Sequence, residues 1–194
     1  MLDAYGPQSW WPADTPFEVM VGAILTQNTA WTNVEKAIIN LKREQLLNPE
    51  TLAKSEHDVV ANAIRPAGYF NIKTQRLQSF CRYLIDSGGE TSLAARETDQ
   101  LRRDLLAVHG VGPETADDML LYAFQRPVFV IDAYTRRILS RVGMIVGDEP
   151  YDTLRKGIEK ALGPDVQMFN EYHGLIVRHA KEVCRKNRCV LPVA

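Results

Sequence analysis

Apolar side chains recur every three or four residues along most of the chain, which is the spacing that one buried face of an α-helix requires. Breaks that contain glycine or proline separate these periodic stretches. Only the run 127–131 (PVFVI) has an extended pattern, and it is too short and solitary to found a sheet. The pattern therefore predicts an all-α fold, with helices near 31–43, 49–54, 56–64, 71–86, 98–108, 113–125, 132–142, 151–162 and 165–183.

One more helix is predicted directly after Thr15 and Pro16, because a capping hydroxyl followed by proline at the first helical position is a favoured start. The sequence that follows, FEVMVGAILTQ, is apolar on most sides and is expected to form a central, buried helix.

No linker rich in Pro, Ser or Gly divides the chain, and its natural seam is the extended run at 127–131. We therefore expect two helical lobes with a cleft between them. The central lobe is predicted over 17–128, including a hairpin over 105–125, and the terminal lobe over 1–16 plus 129–194.

The 194 residues carry a net charge of −1, which argues against a protein that coats nucleic acid by bulk attraction. The segment Arg178–Arg188 is nevertheless basic, and either a solvated helix end or a DNA-facing patch explains it. No apolar run approaches the roughly 20 residues of a membrane span. The N-terminus does not resemble a signal peptide, and three cysteines suit a reducing compartment, so we expect a cytoplasmic protein, nucleoid-associated if bacterial or archaeal.

Two features could carry chemistry. Gly110 and Gly112 can adopt positive φ where the chain reverses, and Pro113 then starts a helix, so the amides of Val111, Gly112 and Glu114 are expected to face outward and hold an anion. Asp132 follows 20 residues after Gly112, at another helix start. Taken separately, each has a simpler interpretation: a glycine-capped corner for the first and an N-cap for the second.

Together these features resemble the helix-hairpin-helix superfamily of base-excision DNA glycosylases, of which endonuclease III is a familiar member. The family's hallmark is a Gly-Val-Gly hairpin followed some 20 residues later by Val-Asp, and this chain has Gly110-Val111-Gly112 and Ile131-Asp132. Further similar stretches are TPFE at 15–18 to QNT at 27–29, GYFNIK at 68–73, and YHGL at 172–175 to His179 and Cys184.

The first departure from the family pattern concerns the nucleophile. Bifunctional members carry a lysine two residues after the second glycine, and its amine attacks the sugar as a Schiff-base nucleophile. Glu114 occupies that position here, and a carboxylate cannot form an imine. The sequence gives no reason to expect Lys73, Arg136 or Arg137 to point into the same pocket, so we expect water near Asp132 to be the nucleophile.

The second departure concerns the iron–sulfur loop, which needs four cysteines in the family. Cys184 and Cys189 are interpreted as remnants of that loop, and two thiolates cannot hold a four-iron cluster. We therefore expect no cluster and no required cofactor, although a clipped C-terminus that removed later cysteines stays open. The sequence LTQNT at 25–29 with Trp31 is similar to the 3-methyladenine DNA glycosylase subset, which lacks the lysine.

The resemblance implies a role for each candidate. The hairpin would hold DNA phosphate with a monovalent cation as a possible aid, Gln27 would fill the gap left by an extruded base, and Asp132 would be catalytic. The hairpin residues are Gly110, Val111, Gly112, Glu114 and Thr115; the candidates for an aromatic base pocket are Trp31, Trp10, Trp11 and Tyr5. For the three tryptophans, ordinary core packing is the alternative.

The leading hypothesis is a monofunctional DNA glycosylase that hydrolyses the N-glycosidic bond of damaged bases, with alkylated purines favoured, in duplex DNA with a flipped base. We expect a monomer without membrane association. The alternatives are a bifunctional glycosylase/lyase acting on oxidised pyrimidines with a relocated lysine, and a non-catalytic binder of DNA structure in which Asp132 is only a cap.

Overall fold

The computed structural model describes residues 1–8 and 10–184 of the chain, and these residues are helical without any strand. The all-α fold predicted from the sequence is therefore confirmed. A 3₁₀ turn at Arg65–Ala67 and a π-helical segment at Met119–Ala123 complete the helical parts. The α-helices are α1 Leu2–Tyr5, α2 Pro16–Leu25, α3 Trp31–Arg43, α4 Pro49–Lys54, α5 His57–Ala63, α6 Phe70–Asp86, α7 Gly89–Ala94, α8 Thr98–Leu106, α9 Pro113–Asp118, α10 Ala133–Arg141, α11 Tyr151–Leu162 and α12 Val166–Glu182.

Helix α2 is the central helix that the sequence predicts. Thr15 caps it, because its Oγ1 accepts a hydrogen bond of 3.1 Å from the amide of Glu18, and Pro16 occupies the first turn. Every residue from Phe17 to Leu25 is buried. A helix that is covered on all sides in this way, with Glu18 as its one charged residue, forms part of the core around which its neighbours pack.

Two short helices and one irregular segment were not predicted. Helix α1 has only four residues, too few to show apolar periodicity, and α7 begins at Gly89, within a glycine pair that predicts a break. The helix predicted over 113–125 ends at Asp118, and the chain continues into the π-helical segment at 119–123. Such segments are rare, and sequence periodicity does not distinguish them from an α-helix.

The chain divides into two compact units. The first consists of Met1–Pro12 with Leu120–Ala194, and the second of Ala13–Met119. Compact units are not by themselves separately folding domains, so the predicted lobes at 17–128 and at 1–16 plus 129–194 stay a prediction.

Each unit has its own packing. In the second unit, α8 and α9 are joined by a buried ion pair in which Arg102 Nε lies 2.6 Å from Asp117 Oδ1. In the first unit, the aromatic rings of Phe129 and Phe169 meet edge to face at 5.4 Å. In the part of the chain that the structure describes, no helix is both long and apolar enough to span a bilayer.

Candidate active site and nucleic-acid interface

The turn between α8 and α9 depends on Gly110. Its φ is +88°, in the left-handed region that favours glycine. A Cβ on Gly110 would lie 2.2 Å from Cγ and 3.0 Å from Cβ of Arg76, so the backbone approaches α6 more closely than any side chain allows. Gly112 does not use the positive φ that a glycine permits, because its φ is −92° and it begins α9 as an ordinary extended N-cap.

The outward-facing amides differ in part from those predicted. The amide of Val111 donates to the carbonyl of Val108 at 3.1 Å, so it is committed to the turn and cannot face an anion. Among the described residues, the amides of Gly112 and Thr115 have no backbone acceptor. These two donors, at the start of α9, can be offered to a phosphate oxygen, and the outward-facing amide expected at Glu114 stays a prediction.

Gln27 is bound to the hairpin rather than extended from it. Its Nε2 donates to the carbonyl of Gly110 at 3.0 Å and to Oγ1 of Thr115 at 2.9 Å. Its Oε1 accepts a hydrogen bond from the Arg76 guanidinium. The side chain predicted to fill a gap in DNA therefore holds the loop after α2 against the turn, and three hydrogen bonds would have to break before it could leave.

A groove of about 520 Å³ runs past this turn. We call it the hairpin groove; it is lined by Gln27, Asn28, Arg76, Gly110, Val111, Gly112, Pro113, Glu114 and Thr115. Glu114 is exposed in the first turn of α9, at the position that the resemblance assigns to a lysine in bifunctional glycosylases. Asn28, which the sequence did not single out, is exposed with φ +53° in the middle of the loop between α2 and α3.

Lys73, the lysine considered as a replacement nucleophile, is buried in the same unit as the hairpin. It is 1% exposed, and its Nζ donates to the carbonyls of Leu25 and Ala67, each at 2.8 Å, and to Oγ1 of Thr29 at 2.7 Å. Burial, and after it the nearby Arg76 cation, lowers the pKa of Lys73 to about 8. An amine held by three acceptors has no path to a sugar carbon, which agrees with the expectation that Lys73 does not replace the missing nucleophile.

The side chains of Arg136 and Arg137 are also held by hydrogen bonds to backbone carbonyls. Arg136 donates to the carbonyl of Glu149 at 2.9 Å, and Arg137 to the carbonyl of Ala180 at 2.7 Å. Both lie on α10, where they tie the helix to neighbouring segments of its own unit.

Asp132 caps α10 and keeps one oxygen oriented by the backbone. Its Oδ1 accepts a hydrogen bond of 2.6 Å from the amide of Thr135, and its Oδ2 lies 3.6 Å from Nε2 of His173. The side chain is 13% exposed. Burial favours the neutral acid, but His173 and the Thr135 amide outweigh it, so the pKa of Asp132 is lowered below its ordinary value of 3.8. The carboxylate is therefore ionised at neutral pH.

The aromatic candidates lie in different places. Trp11 packs against Tyr122, with ring centroids 4.9 Å apart, and the hydroxyl of Tyr122 lies 2.5 Å from Nδ1 of His173. Trp11 is therefore connected to the surroundings of Asp132 within one unit. Sequence reasoning missed Tyr122 and His173, because neither stands next to Asp132 in the chain and each reads as a core residue of a helical segment.

The other three candidates have their own partners. Trp10 packs on Gly174 of α12, where a Cβ would lie 2.9 Å from Cβ of Trp10. The hydroxyl of Tyr5 lies 2.7 Å from Nδ1 of His179. Trp31 belongs to the other compact unit, at the start of α3, and its Nε1 donates to Glu35 at 2.9 Å.

The structure describes two of the three cysteines, and both are buried. Cys81 is buried in α6, where burial raises the pKa of its thiol to about 12, and Cys184 is buried just after α12. Cys189 lies outside the described residues, as do Arg185, Lys186 and Arg188 of the basic segment. Within the described ranges, no group of three or more His, Cys, Asp or Glu side chains could hold a metal ion. The predictions on cofactors and on a cation at the hairpin stay predictions.

Known proteins of one family resemble this chain. A family model described as HhH-GPD superfamily base excision DNA repair protein matches residues 21–164. A Methanocaldococcus jannaschii protein, provisionally named a DNA repair glycosylase, is 48% identical over 189 residues, which covers 96% of this chain and 86% of that protein. Thermotoga maritima endonuclease III is 29% identical over 170 residues, or 88% of this chain and 75% of that enzyme.

Solved structures show the same similarity. The crystal structure of H. pylori 3-methyladenine DNA glycosylase bound to 1,N6-ethenoadenine has a TM-score of 0.80 and 31% identity, and the alignment covers 93% of this chain and 92% of that one. A non-covalent endonuclease III–DNA complex has a TM-score of 0.82 over 100% of this chain and 86% of that one. At 21% identity, this second likeness concerns the fold alone.

Proposed function

Since this chain belongs to the HhH-GPD superfamily of base excision DNA repair proteins, and is a DNA glycosylase, we propose that it is a monofunctional one that hydrolyses the N-glycosidic bond of alkylated purines in duplex DNA. In this proposal water is the nucleophile, the base leaves without strand cleavage, and the enzyme acts as a monomer on a nucleotide flipped out of the helix.

One observation carries the proposal: Asp132 is a partly exposed carboxylate held ionised by the Thr135 amide and His173. As the C–N bond breaks, positive charge develops on the sugar, and a fixed negative charge stabilises that state more than it stabilises the ground state. The same carboxylate can orient a water molecule for attack on the anomeric carbon.

The positions and hydrogen bonds of the basic residues support a reaction without strand cleavage. Glu114 replaces the lysine that a Schiff-base mechanism needs, and Lys73 is buried with three acceptors on its amine. Arginine guanidinium groups stay protonated and do not form imines.

Alkylated purines are proposed as substrates on the strength of the aromatic side chains and one relative. The ring of Trp11 offers a stacking surface next to Tyr122, and cation–π attraction to a positively charged base contributes about 0.5–2 kcal/mol. The H. pylori protein that is 31% identical is a 3-methyladenine DNA glycosylase. A cationic base also leaves easily, so it makes little demand on leaving-group protonation.

The hairpin groove is proposed to hold a phosphate of the damaged strand. The amides of Gly112 and Thr115 supply uncharged donors, which suits a chain whose net charge is −1. A monovalent cation at the turn would strengthen this contact. Gln27 remains a candidate for filling the space that the flipped base leaves in the duplex. To do so, its side chain must first break the three hydrogen bonds that hold it to the hairpin and to Arg76.

The test is a lesion panel in defined duplexes: 3-methyladenine, hypoxanthine, 8-oxoguanine, thymine glycol, uracil and an abasic site. The proposal predicts release of methylated purine, and strand breaks only after hot alkali. Nicking without alkali, together with a covalent complex trapped by borohydride, would establish the lyase alternative. Equal activity of the wild type and Asp132→Ala on every lesion would favour the non-catalytic binder.

A further inference from the structure

A buried imidazole lies directly behind the carboxylate of Asp132. His173, on α12, is 4% exposed, and its Nε2 lies 3.6 Å from Oδ2 of Asp132. Among the described residues, that nitrogen has no hydrogen-bond partner at ordinary distance. The other ring nitrogen, Nδ1, lies 2.5 Å from the hydroxyl of Tyr122. The three side chains thus form a chain from Tyr122 through His173 to Asp132 inside one compact unit.

The geometry discriminates between the two neutral tautomers of His173. If Nδ1 carried the proton, a lone pair on buried Nε2 would face an ionised carboxylate oxygen at 3.6 Å, which is repulsive. If Nδ1 instead accepts the phenol proton of Tyr122, the proton on Nε2 points at the carboxylate and both nitrogens are used. In the second arrangement, each ring nitrogen of His173 faces a group of the opposite kind: Nδ1 accepts from a donor, and Nε2–H points at an acceptor.

We propose that Tyr122 and His173 are positioning residues for Asp132: Tyr122 donates to Nδ1 of His173 and fixes the Nε2–H tautomer, and that N–H holds the carboxylate in its catalytic orientation. This inference rests on the proposed catalytic role of Asp132. Neither residue needs to touch the substrate, and no proton has to be transferred along the chain.

Each of the two carboxylate oxygens of Asp132 faces a different donor. The Thr135 amide holds Oδ1 at 2.6 Å, and His173 faces Oδ2. A separation of 3.6 Å is longer than a good hydrogen bond, so holding Oδ2 in this way requires the contact to shorten by several tenths of an ångström when substrate fills the site. Catalytic hydrogen bonds often tighten in this way on going from the free to the bound enzyme.

Core packing alone does not explain the choice of residues. A leucine at position 173 would fill a buried space in α12 without leaving a nitrogen unbonded, and such a nitrogen is costly. Tyr122 also contacts Trp11, whose ring is a candidate surface for the base. A base stacked on Trp11 would therefore press on the same tyrosine that sets the histidine tautomer.

Tyr122→Phe is the most direct variant, because it removes one oxygen and keeps the ring against Trp11. The probe is duplex DNA treated with a methylating agent, with release of methylated purines followed under excess enzyme. We expect the single-turnover rate to fall about ten-fold, the lower end of what loss of a partner behind an active group costs, while duplex affinity stays within two-fold. Tyr172→Phe is the matched control, since it removes a hydroxyl one residue from His173 and should leave the rate unchanged.

Two amide substitutions at His173 distinguish the effect of a donor facing Asp132 from the effect of side-chain size. In His173→Gln the side-chain amide reaches the place of Nε2 and keeps a donor toward Asp132, whereas in His173→Asn it reaches only the place of Nδ1. We expect the glutamine variant to be the faster of the two. Equal rates for the pair, or a Tyr122→Phe enzyme as fast as wild type, would overturn the inference.

A measurement on the wild type keeps the inference testable even if the variants fold poorly. Nitrogen chemical shifts of His173 should report the Nε2–H tautomer, and an Nδ1–H tautomer would overturn the inference. Asp132→Asn separates this inference from the proposed function. If that variant still releases bases at the wild-type rate, the catalytic role of Asp132 fails; if it is inactive while Tyr122→Phe is fully active, only the positioning role fails.

Discussion

The side chain of Arg76 occupies the space where a Cβ on Gly110 would stand. The added carbon would lie 2.2 Å from Cγ and 2.7 Å from Cδ of Arg76, and Gly110 also has φ +88°. The close approach brings the Gly110 carbonyl within 3.0 Å of Gln27 Nε2. A glycine is therefore required at position 110 for two independent reasons, steric and conformational.

Gly110→Ala should destabilise the protein by more than the 1–2 kcal/mol that a left-handed alanine costs, because Arg76 must also move. DNA affinity should fall with it. Gly112→Ala is the matched control for stability, since Gly112 has φ −92° and nothing lies within 4 Å of its added Cβ. Urea unfolding of both variants checks the pair; equal losses in the two would show that the observed turn is not the one the protein uses.

Gln27→Ala should distinguish two roles of Gln27: holding the loop after α2 against the hairpin, and filling the space that a flipped base leaves in DNA. Removing the amide leaves the Gly110 carbonyl, Thr115 Oγ1 and Arg76 without their partner, which costs about 1–3 kcal/mol for each buried group left unsatisfied. We expect a lower melting temperature and weaker binding even to undamaged duplex. A pure gap filler would lose base release on duplex DNA while its melting temperature and its affinity for undamaged duplex stayed at wild-type values.

Lys73→Met should act on stability and not on the chemistry. The substitution leaves the carbonyl of Leu25 without its Nζ donor, at roughly 1–3 kcal/mol, whereas the carbonyl of Ala67 keeps the hydrogen bond from the Thr29 hydroxyl. Base release per folded molecule should be unchanged, and no borohydride-trapped complex should form with either protein. A trapped complex that disappears in Lys73→Met would instead identify Lys73 as a nucleophile.

The stability contributed by Asp132 should depend on pH in one direction. Its pKa is lowered in the folded state, so the folded protein binds fewer protons there than the unfolded chain does. The contribution is therefore present above the unfolded pKa of about 3.9 and is lost as pH falls through the lower folded pKa. The difference in unfolding free energy between wild type and Asp132→Asn should shrink between about pH 5 and pH 3. A difference that is constant or grows on acidification would contradict the lowered pKa.

The features that the sequence predicted correctly are local. The Thr15–Pro16 start of α2 and the apolar run behind it follow from neighbouring residues, and so does the N-cap role of Asp132. The features it missed depend on residues far apart in the chain. Gln27 meets Gly110 across 83 positions, and Tyr122 meets His173 across 51. Single-sequence periodicity carries no information on such pairs.

The hairpin shows the same limit on a smaller scale. Two glycines in a turn both permit positive φ, but only the folded chain shows that Gly110 uses it and that Gly112 does not. Likewise, the amide of Val111 is consumed inside the turn by the carbonyl of Val108. Which donors remain for a ligand is therefore a property of the backbone path, and the residue types do not determine it.

The central claim is tested most directly by Asp132→Asn, measured as single-turnover release of methylated purine beside duplex affinity. Asparagine can still accept the hydrogen bond from the Thr135 amide and cap α10, so the fold should persist while the negative charge is lost. The account predicts a loss of base release by at least about a hundred-fold, with duplex affinity within a few-fold. Release at the wild-type rate by a folded Asp132→Asn protein would contradict it.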